Sequence, residues 1–387
     1  MTPIQTGKMD GLEVKLKTHR WSEGLIFVIA MWLLSRLLVV VAMQLIAPLT
    51  HVSPVMYSGD TSPLDFFPGF VPKSSWELFS HWDGAWYRKI ATVGYDYAND
   101  GKYHSIAFFP LFPLVSRVVM TLGLPFEVAA TLVNNLAFLG ALFLLYRWAE
   151  ERYDINVARW ATAVLAWFPL SLYGTVIYSE GLFLLVTTAS LRAFDKGEYA
   201  RAALWGAMAT ATRSTGLMLV PAFIIVAWKE RRPPLAYAAA LAATGGLLLF
   251  SLYCAIRFGD PLAFVHVQQA WKWQHPDWLT VFAKALALDK ENLMRVATFW
   301  GGAYLLWHLR SKLPAVAVAY GFCTMAMIQA TGNLSSISRY AYGIVSLSLA
   351  LGLVLAKRPR WGYPLMGFFS IVLAYYGIRF AWWYWVA

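Results

Sequence analysis

Residues 25–47 read LIFVIAMWLLSRLLVVVAMQLIA, an apolar run broken by one charge, Arg36. About 20 apolar residues suffice to cross roughly 30 Å of hydrocarbon, so this stretch is long enough to span a bilayer. A basic segment with Lys8, Lys15, Lys17 and Arg20 precedes it, as in a signal peptide. The run is too long for one, however, and shows no small-residue cleavage site. It therefore reads as an uncleaved signal anchor with the N-terminus inside.

The rest of the chain extends that reading. Of 387 residues, 59% are hydrophobic and 14% charged, too few charges to clothe a soluble domain of this size. Further apolar runs fall near 126–148, 158–176, 178–194, 235–257, 292–308, 313–329, 340–356 and 362–384, with two ambiguous ones at 105–123 and 202–228. The expectation is an all-α, polytopic membrane protein with about 11 transmembrane or re-entrant segments. It would form a single domain over 25–387 behind a basic N-terminus at 1–24. Cys254 and Cys323 lie inside apolar runs and read as packing residues rather than a disulfide scaffold.

A net charge of +11 would suggest nucleic acid in a soluble protein. Here the cations cluster in short loops, Lys229 with Arg231 and Arg232, Arg310 with Lys312, and Lys357 with Arg358 and Arg360, the positive-inside pattern. Loops 48–104, 258–290 and 330–339 then face outward. Two routes satisfy this parity between 47 and 229. In one, 105–123 and 202–228 each cross once. In the other, 105–123 is re-entrant and 202–228 folds back at Arg213. The second puts Arg147, Arg152 and Arg159, together with Arg192, Lys196 and Arg201, inside. It also accounts for the two prolines of FFPLFP (108–113) and the charge and glycine of ATRSTG (211–216), and is preferred.

The first outer loop is long, and loops of that length are usually functional or disordered. It is too aromatic for disorder. Within it lies HWDGAWYRKIATVGY, residues 81–95, and Leu78, Trp82, Trp86 and Ile90 are spaced to cover one face of an interfacial helix over 76–95. Asp83 at its centre can cap that helix or serve as a base at the water–lipid boundary, beside His81, Trp82, Tyr87 and Arg88 as substrate contacts. Ionisable residues in or beside spans are costly and mark candidate sites. Glu180 in YSEGLF can pair with a cation for packing or belong to the site. Arg213 can orient a phosphate or neutralise Glu180. Arg339, beside Tyr340 in SISRYAY, can grip phosphate oxygens or snorkel. Arg36, inside the first run, can pair with a carboxylate within the bundle, and no functional role is read for it. WKWQHPDW (271–278) combines interfacial tryptophans with Lys272 and His275, which suit sugar hydroxyls. No HExxH, cysteine–histidine cluster, Walker loop or Rossmann fingerprint is present, so no metal and no cofactor is expected.

In order, HWDGAWYRKIATVGY (81–95), AFFPLFPLVSRVV (107–119), YSEGLFLL (178–185), ATRSTGLML (211–219), WQHP (273–276) and SRYAYGIVSL (338–347) resemble the motifs of the PIG-V-like mannosyltransferases, from about residue 78 onward. That family belongs to the GT-C superfamily of membrane glycosyltransferases that use polyprenyl-phosphate sugars, and its eukaryotic member adds the second mannose of the GPI anchor. The resemblance implies a GT-C-like fold and a mannosyltransferase-like enzyme, with a polyprenyl-phosphate mannose donor and a membrane-associated glycolipid acceptor. It implies Asp83 as catalytic carboxylate, with Asp60 in the same loop as reserve. It further implies an outer or lumenal active site, in the plasma membrane of a bacterium or the endoplasmic reticulum of a eukaryote.

Elementary chemistry agrees. A polyprenyl-phosphate sugar is already activated, so transfer needs a base for the acceptor hydroxyl and cations for the departing phosphate. Asp83 suits the first; Arg213, Arg339 or Lys272 the second. A single displacement inverts the anomeric centre. A lipid-linked-sugar transporter would be expected to show matched halves with interrupted helices, and none is evident. A non-catalytic subunit is the remaining alternative.

Overall fold

The computed structural model describes residues 6–50, 71–271, 277–332 and 334–386. Asp60, Lys272 and His275 lie outside the described residues. The architecture is helical throughout what is described.

Four described helices are long and apolar enough to cross a membrane: Ser22–Leu49, Phe126–Arg152, Pro234–Phe258 and Pro359–Ala381. A fifth arises if Leu334–Tyr342 and Val345–Lys357, bent by 63°, count as one broken span. This corrects the expected 11 or so. Hydropathy alone does not distinguish a span in contact with lipid from a shorter helix enclosed by protein. Glu180–Asp195 has only 16 residues, nearly all buried, and packs between its neighbours rather than against lipid. Other runs are cut by the backbone. The 158–176 run stops as a helix at Trp167, ahead of Pro169, and continues as a 3-10 turn over Pro169–Gly174.

That break frees backbone groups, which must find partners inside the bundle. Arg36 supplies them. Its guanidinium donates to the carbonyls of Ser171 at 2.5 Å and Ala166 at 3.0 Å and to the hydroxyls of Thr175 at 2.6 Å and Ser171 at 2.8 Å. Among the described residues no carboxylate pairs with it; carbonyl and hydroxyl dipoles take that place. Asn134 completes the clamp, donating to the carbonyls of Tyr173 and Val176, each at 2.7 Å, and accepting from Gly181 N–H at 2.8 Å. Gly181 permits this approach, because a Cβ there would stand 2.4 Å from the Asn134 carbonyl oxygen. The loop carrying Glu180 is thereby fixed from two helices.

Contacts at the helix ends decide the course of the chain. Arg213 meets Glu180 at the start of Glu180–Asp195, whereas Arg232 reaches the carbonyl of Phe194 at its far end. Residues 202–228 therefore fold back at Arg213, whose extended backbone separates Tyr199–Thr212 from Leu219–Lys229. Residues 105–123 also return. Phe108 and Phe112 pack on Tyr87, and Glu127, a few residues further on, pairs with Arg88 on the same short helix. Between them lies Leu111–Met120, 10 residues long, about 15 Å at 1.5 Å per residue and half the hydrocarbon thickness. The chain takes the second of the two routes. Glu151 binds Arg192 at 2.7 Å and Lys196 at 2.9 Å, and Tyr153 donates to the Lys312 carbonyl. The basic stretches around 150, 195 and 312 thus share one end, and Asp83 occupies the other.

Candidate active site

Asp83 opens the helix Asp83–Thr92. The expected continuous helix over 76–95 is instead a 3-10 turn, Trp76–Phe79, followed by a break and then this helix. Its buried face is Gly84, Tyr87, Ile90 and Ala91. The break is sharp because Trp82 takes φ 56°, a conformation costly for a bulky residue. Trp82 is held there by Trp383 and Trp385, whose rings lie 6.0 and 5.3 Å from its own. The helix N-cap position falls on Trp82 and receives no side-chain cap, so Asp83 does not serve as the cap.

The Asp83 side chain points to Arg339 instead. Arg339 Nη1 donates to Asp83 Oδ2 at 2.8 Å, and its Nε lies 3.4 Å from Glu180 Oε1, close enough for ion pairing but not aligned as a hydrogen bond. Arg213 Nη1 in turn binds Glu180 Oε1. Four residues that are far apart in sequence thus form an alternating line, Asp83, Arg339, Glu180, Arg213, with no net formal charge. Glu180 is 1% exposed and Arg339 5%. Ions this dry survive only when paired. Even so, Glu180 Oε2 has no hydrogen-bond partner among the described residues, an expensive arrangement that marks function more than stability.

Aromatic rings enclose the line. The Arg339 guanidinium sits 5.2–5.5 Å from the rings of Tyr173, Tyr178, Tyr340 and Trp385, distances at which a cation is attracted by the ring face. Tyr340 is shared, lying 5.5 Å from Arg213 as well. The Asp83 N–H points at Tyr178 Oη, 3.4 Å away. Tyr87 donates to Ser179 Oγ at 3.0 Å, next to Glu180, and burial pushes its phenol well up, so it stays protonated. His81 stacks on Trp383 with centroids 3.9 Å apart, and its Nδ1–H donates to the Phe380 carbonyl at 2.9 Å. Burial lowers its pKa to about 4, opposed by that hydrogen bond, so the ring is neutral at ordinary pH.

Of the residues singled out from sequence, Asp83, Glu180, Arg213, Arg339 and Tyr340 meet directly, and His81, Trp82 and Tyr87 frame them. Arg88 does not join. It turns outward, half exposed, to Glu127 at 3.2 Å, because a side chain five positions beyond Asp83 on a helix leaves by another face. Sequence reasoning missed Tyr173, Tyr178, Ser179 and Trp385. AWWYWV at 381–386 carried a signal: three tryptophans at the end of the last apolar run and just past it, at the depth where aromatic residues face a site or a headgroup layer. Among the described residues no three or more His, Cys, Asp or Glu stand close enough together to hold a metal.

Solved structures share this fold. The chain is similar to the ArnT structure from Cupriavidus metallidurans solved with undecaprenyl phosphate, with a TM-score of 0.52 and 16% identity over 88% of this chain and 62% of that one. It is also similar to the apo oligosaccharyltransferase of Archaeoglobus fulgidus, with a TM-score of 0.50 and 12% identity over 92% of this chain and 55% of that one. At such identities the likeness concerns the fold. The model of the mannosyltransferase (PIG-V) family matches residues 22–265, well over half of the chain, and the protein belongs to that family. The match starts earlier than the motifs suggested and ends before WQHP and SRYAYGIVSL. Among curated relatives, human GPI alpha-1,6-mannosyltransferase 2 is 30% identical over 153 residues, 36% of this chain and 30% of that protein. GPI mannosyltransferase 2 of Drosophila pseudoobscura pseudoobscura is 31% identical over 114 residues, 27% of this chain and 24% of that protein. The matched stretches span less than a third of these relatives. The chain is an integral, multi-pass membrane protein.

Proposed function

We propose that the protein is an inverting hexosyltransferase, mannose-specific by family, that moves a sugar from a polyprenyl phosphate to a hydroxyl of a membrane-associated glycolipid on the outer or lumenal face. Asp83 is the general base. Its carboxylate takes the acceptor hydroxyl proton as the oxygen attacks the anomeric carbon, and the bond from that carbon to the phosphate oxygen breaks, with its electron pair leaving on the lipid phosphate. Arg339 stabilises the departing anion. A guanidinium offers five N–H donors, so holding Asp83 leaves others for phosphate oxygens. Glu180 and Arg213 fix Arg339 in place, and Arg213 adds a second positive charge near the phosphate.

The observation that carries the reading is the 2.8 Å contact between Asp83 and Arg339. It sets a base beside the cation that would hold a leaving phosphate, at a broken helix end facing away from the basic loops. A fold shared with a structure holding undecaprenyl phosphate and membership of the PIG-V family support the donor class. The test is incubation of purified protein in nanodiscs with β-linked polyprenyl-phosphate mannose, glucose and other hexoses, and digestion of any product with linkage-specific glycosidases. An α-mannosylated lipid is expected. A β-linked product would rule out single displacement, and transfer of glucose alone would overturn the sugar assignment.

A further inference from the structure

At the Asp83 end of the molecule a small cleft of mixed polar and apolar lining adjoins this site; Glu291, Ser338, Tyr376, Arg379 and Trp385 stand on its wall beside Leu170, Met294 and Val386. With the open solvent at its mouth it measures about 290 Å³, while its enclosed depth has room for about 10 Å³, that is, one water-sized group. Trp385 is a common wall, since its ring also covers the Arg339 guanidinium at 5.3 Å. Ser338, the residue before Arg339, is 2% exposed, and its Oγ has no hydrogen-bond partner among the described residues. A buried hydroxyl without a partner is costly unless a bound group completes it.

We propose that this cleft is a subsite for the acceptor, and that it binds a neutral hydroxyl-bearing ring such as a hexopyranoside. The inference rests on the glycosyl-transfer reading above and adds where the acceptor lies. Charge decides the ligand class. Arg379 Nη1 is bound by Glu291 at 2.9 Å, so the cation is already neutralised and a carboxylate faces the cleft, which opposes a phosphate. An acid, a guanidinium and a hydroxyl together offer both donors and acceptors, the set a polyol needs. Tyr376 and Trp385 give the apolar faces on which a pyranose ring rests. The narrow depth takes one hydroxyl, at Ser338, while the ring stays at the mouth against Trp385.

Binding is measurable without turnover, by titrating the full chain in nanodiscs with methyl α-D-mannopyranoside and following saturation-transfer NMR. Wild type and Asp83→Asn are expected to saturate alike. Ser338→Ala and Glu291→Gln, two mild changes at independent positions, should each raise the dissociation constant about tenfold, the effect of one lost hydrogen bond in such a site. No saturable binding by wild type, or unchanged binding in both variants, overturns the proposal, as does displacement of the glycoside by inorganic phosphate. Saturable binding that both variants weaken, in a protein that transfers no sugar, would leave the subsite standing and remove the enzymatic reading instead.

Discussion

Replacing Asp83 with asparagine separates chemistry from binding, and the structure sets both magnitudes. The amide keeps an oxygen able to accept from Arg339 Nη1, at the position now 2.8 Å away, but it loses the charge and the capacity to take a proton. Loss of a general base costs about 100- to 10,000-fold, or about 2.7–5.4 kcal/mol of barrier at 1.36 kcal/mol per tenfold. The fold should tolerate the change. Asp83 does not cap its helix, and Arg339 retains Glu180 as a counter-charge at 3.4 Å. The line of charges then carries one net positive charge, so the donor phosphate should bind at least as tightly as in wild type. The assay is single-turnover transfer from radiolabelled polyprenyl-phosphate mannose beside a donor-binding titration on the same preparation. A rate within about threefold of wild type would falsify the role of Asp83 and direct attention to Asp60. Lost donor binding would show that Asp83 holds the donor rather than the proton.

Three further outcomes follow from the same geometry. Glu180→Ala strands the Arg213 guanidinium in a nearly dry site, while Arg339 keeps Asp83, and should lower stability by about 3–5 kcal/mol; in a double-mutant cycle with Arg213→Ala the two costs should fall short of additivity by about 0.5–3 kcal/mol, and strict additivity in detergent melts would show that the pair is not coupled. His81 titrates near 6.5 when unfolded and about 4 when folded, so the unfolded chain binds more protons between those values. Stability attributable to it is intact above about pH 6.5 and falls by about 3 kcal/mol as pH drops to about 4; His81→Gln should flatten that acid limb, and an unchanged limb would assign it elsewhere. Single cysteines at Asn156 and Gly197, in a chain lacking Cys254 and Cys323, should resist an impermeant thiol reagent on intact cells and react after permeabilisation, whereas labelling of both from outside would reverse the deduced sidedness.

The residues of the charged line were readable because each breaks a local rule. Asp83 stands in an aromatic loop, and Glu180, Arg213 and Arg339 stand in or beside apolar runs, where a charge demands a reason. Their pairing was only half readable. Arg213 neutralising Glu180 was one of two options for it, while the contact between Asp83 and Arg339 joins residues 256 positions apart and depends on how the helices pack. The span count failed for a related reason. Hydropathy registers that Glu180–Asp195 and its neighbours are apolar but not that protein rather than lipid surrounds them. Arg36 shows the same limit: a lone intramembrane cation suggested a carboxylate, yet the broken turn at Pro169–Gly174 supplied carbonyls that no pattern in the sequence announces. Trp385 lies one residue beyond the last apolar run and was passed over, since an aromatic residue at a span end looks alike whether it faces lipid or a guanidinium.

The central claim is that this chain transfers a sugar from a lipid phosphate, and its most direct measurement is stoichiometry. Purified protein in nanodiscs, given polyprenyl-phosphate mannose and a hydroxyl-bearing glycolipid, is followed by mass spectrometry for both products. The account predicts one polyprenyl phosphate released for each hexose gained by the acceptor, both lost together in Asp83→Asn. Movement of intact lipid-linked sugar between leaflets of proteoliposomes, with no lipid phosphate released and no glycolipid formed, would contradict it.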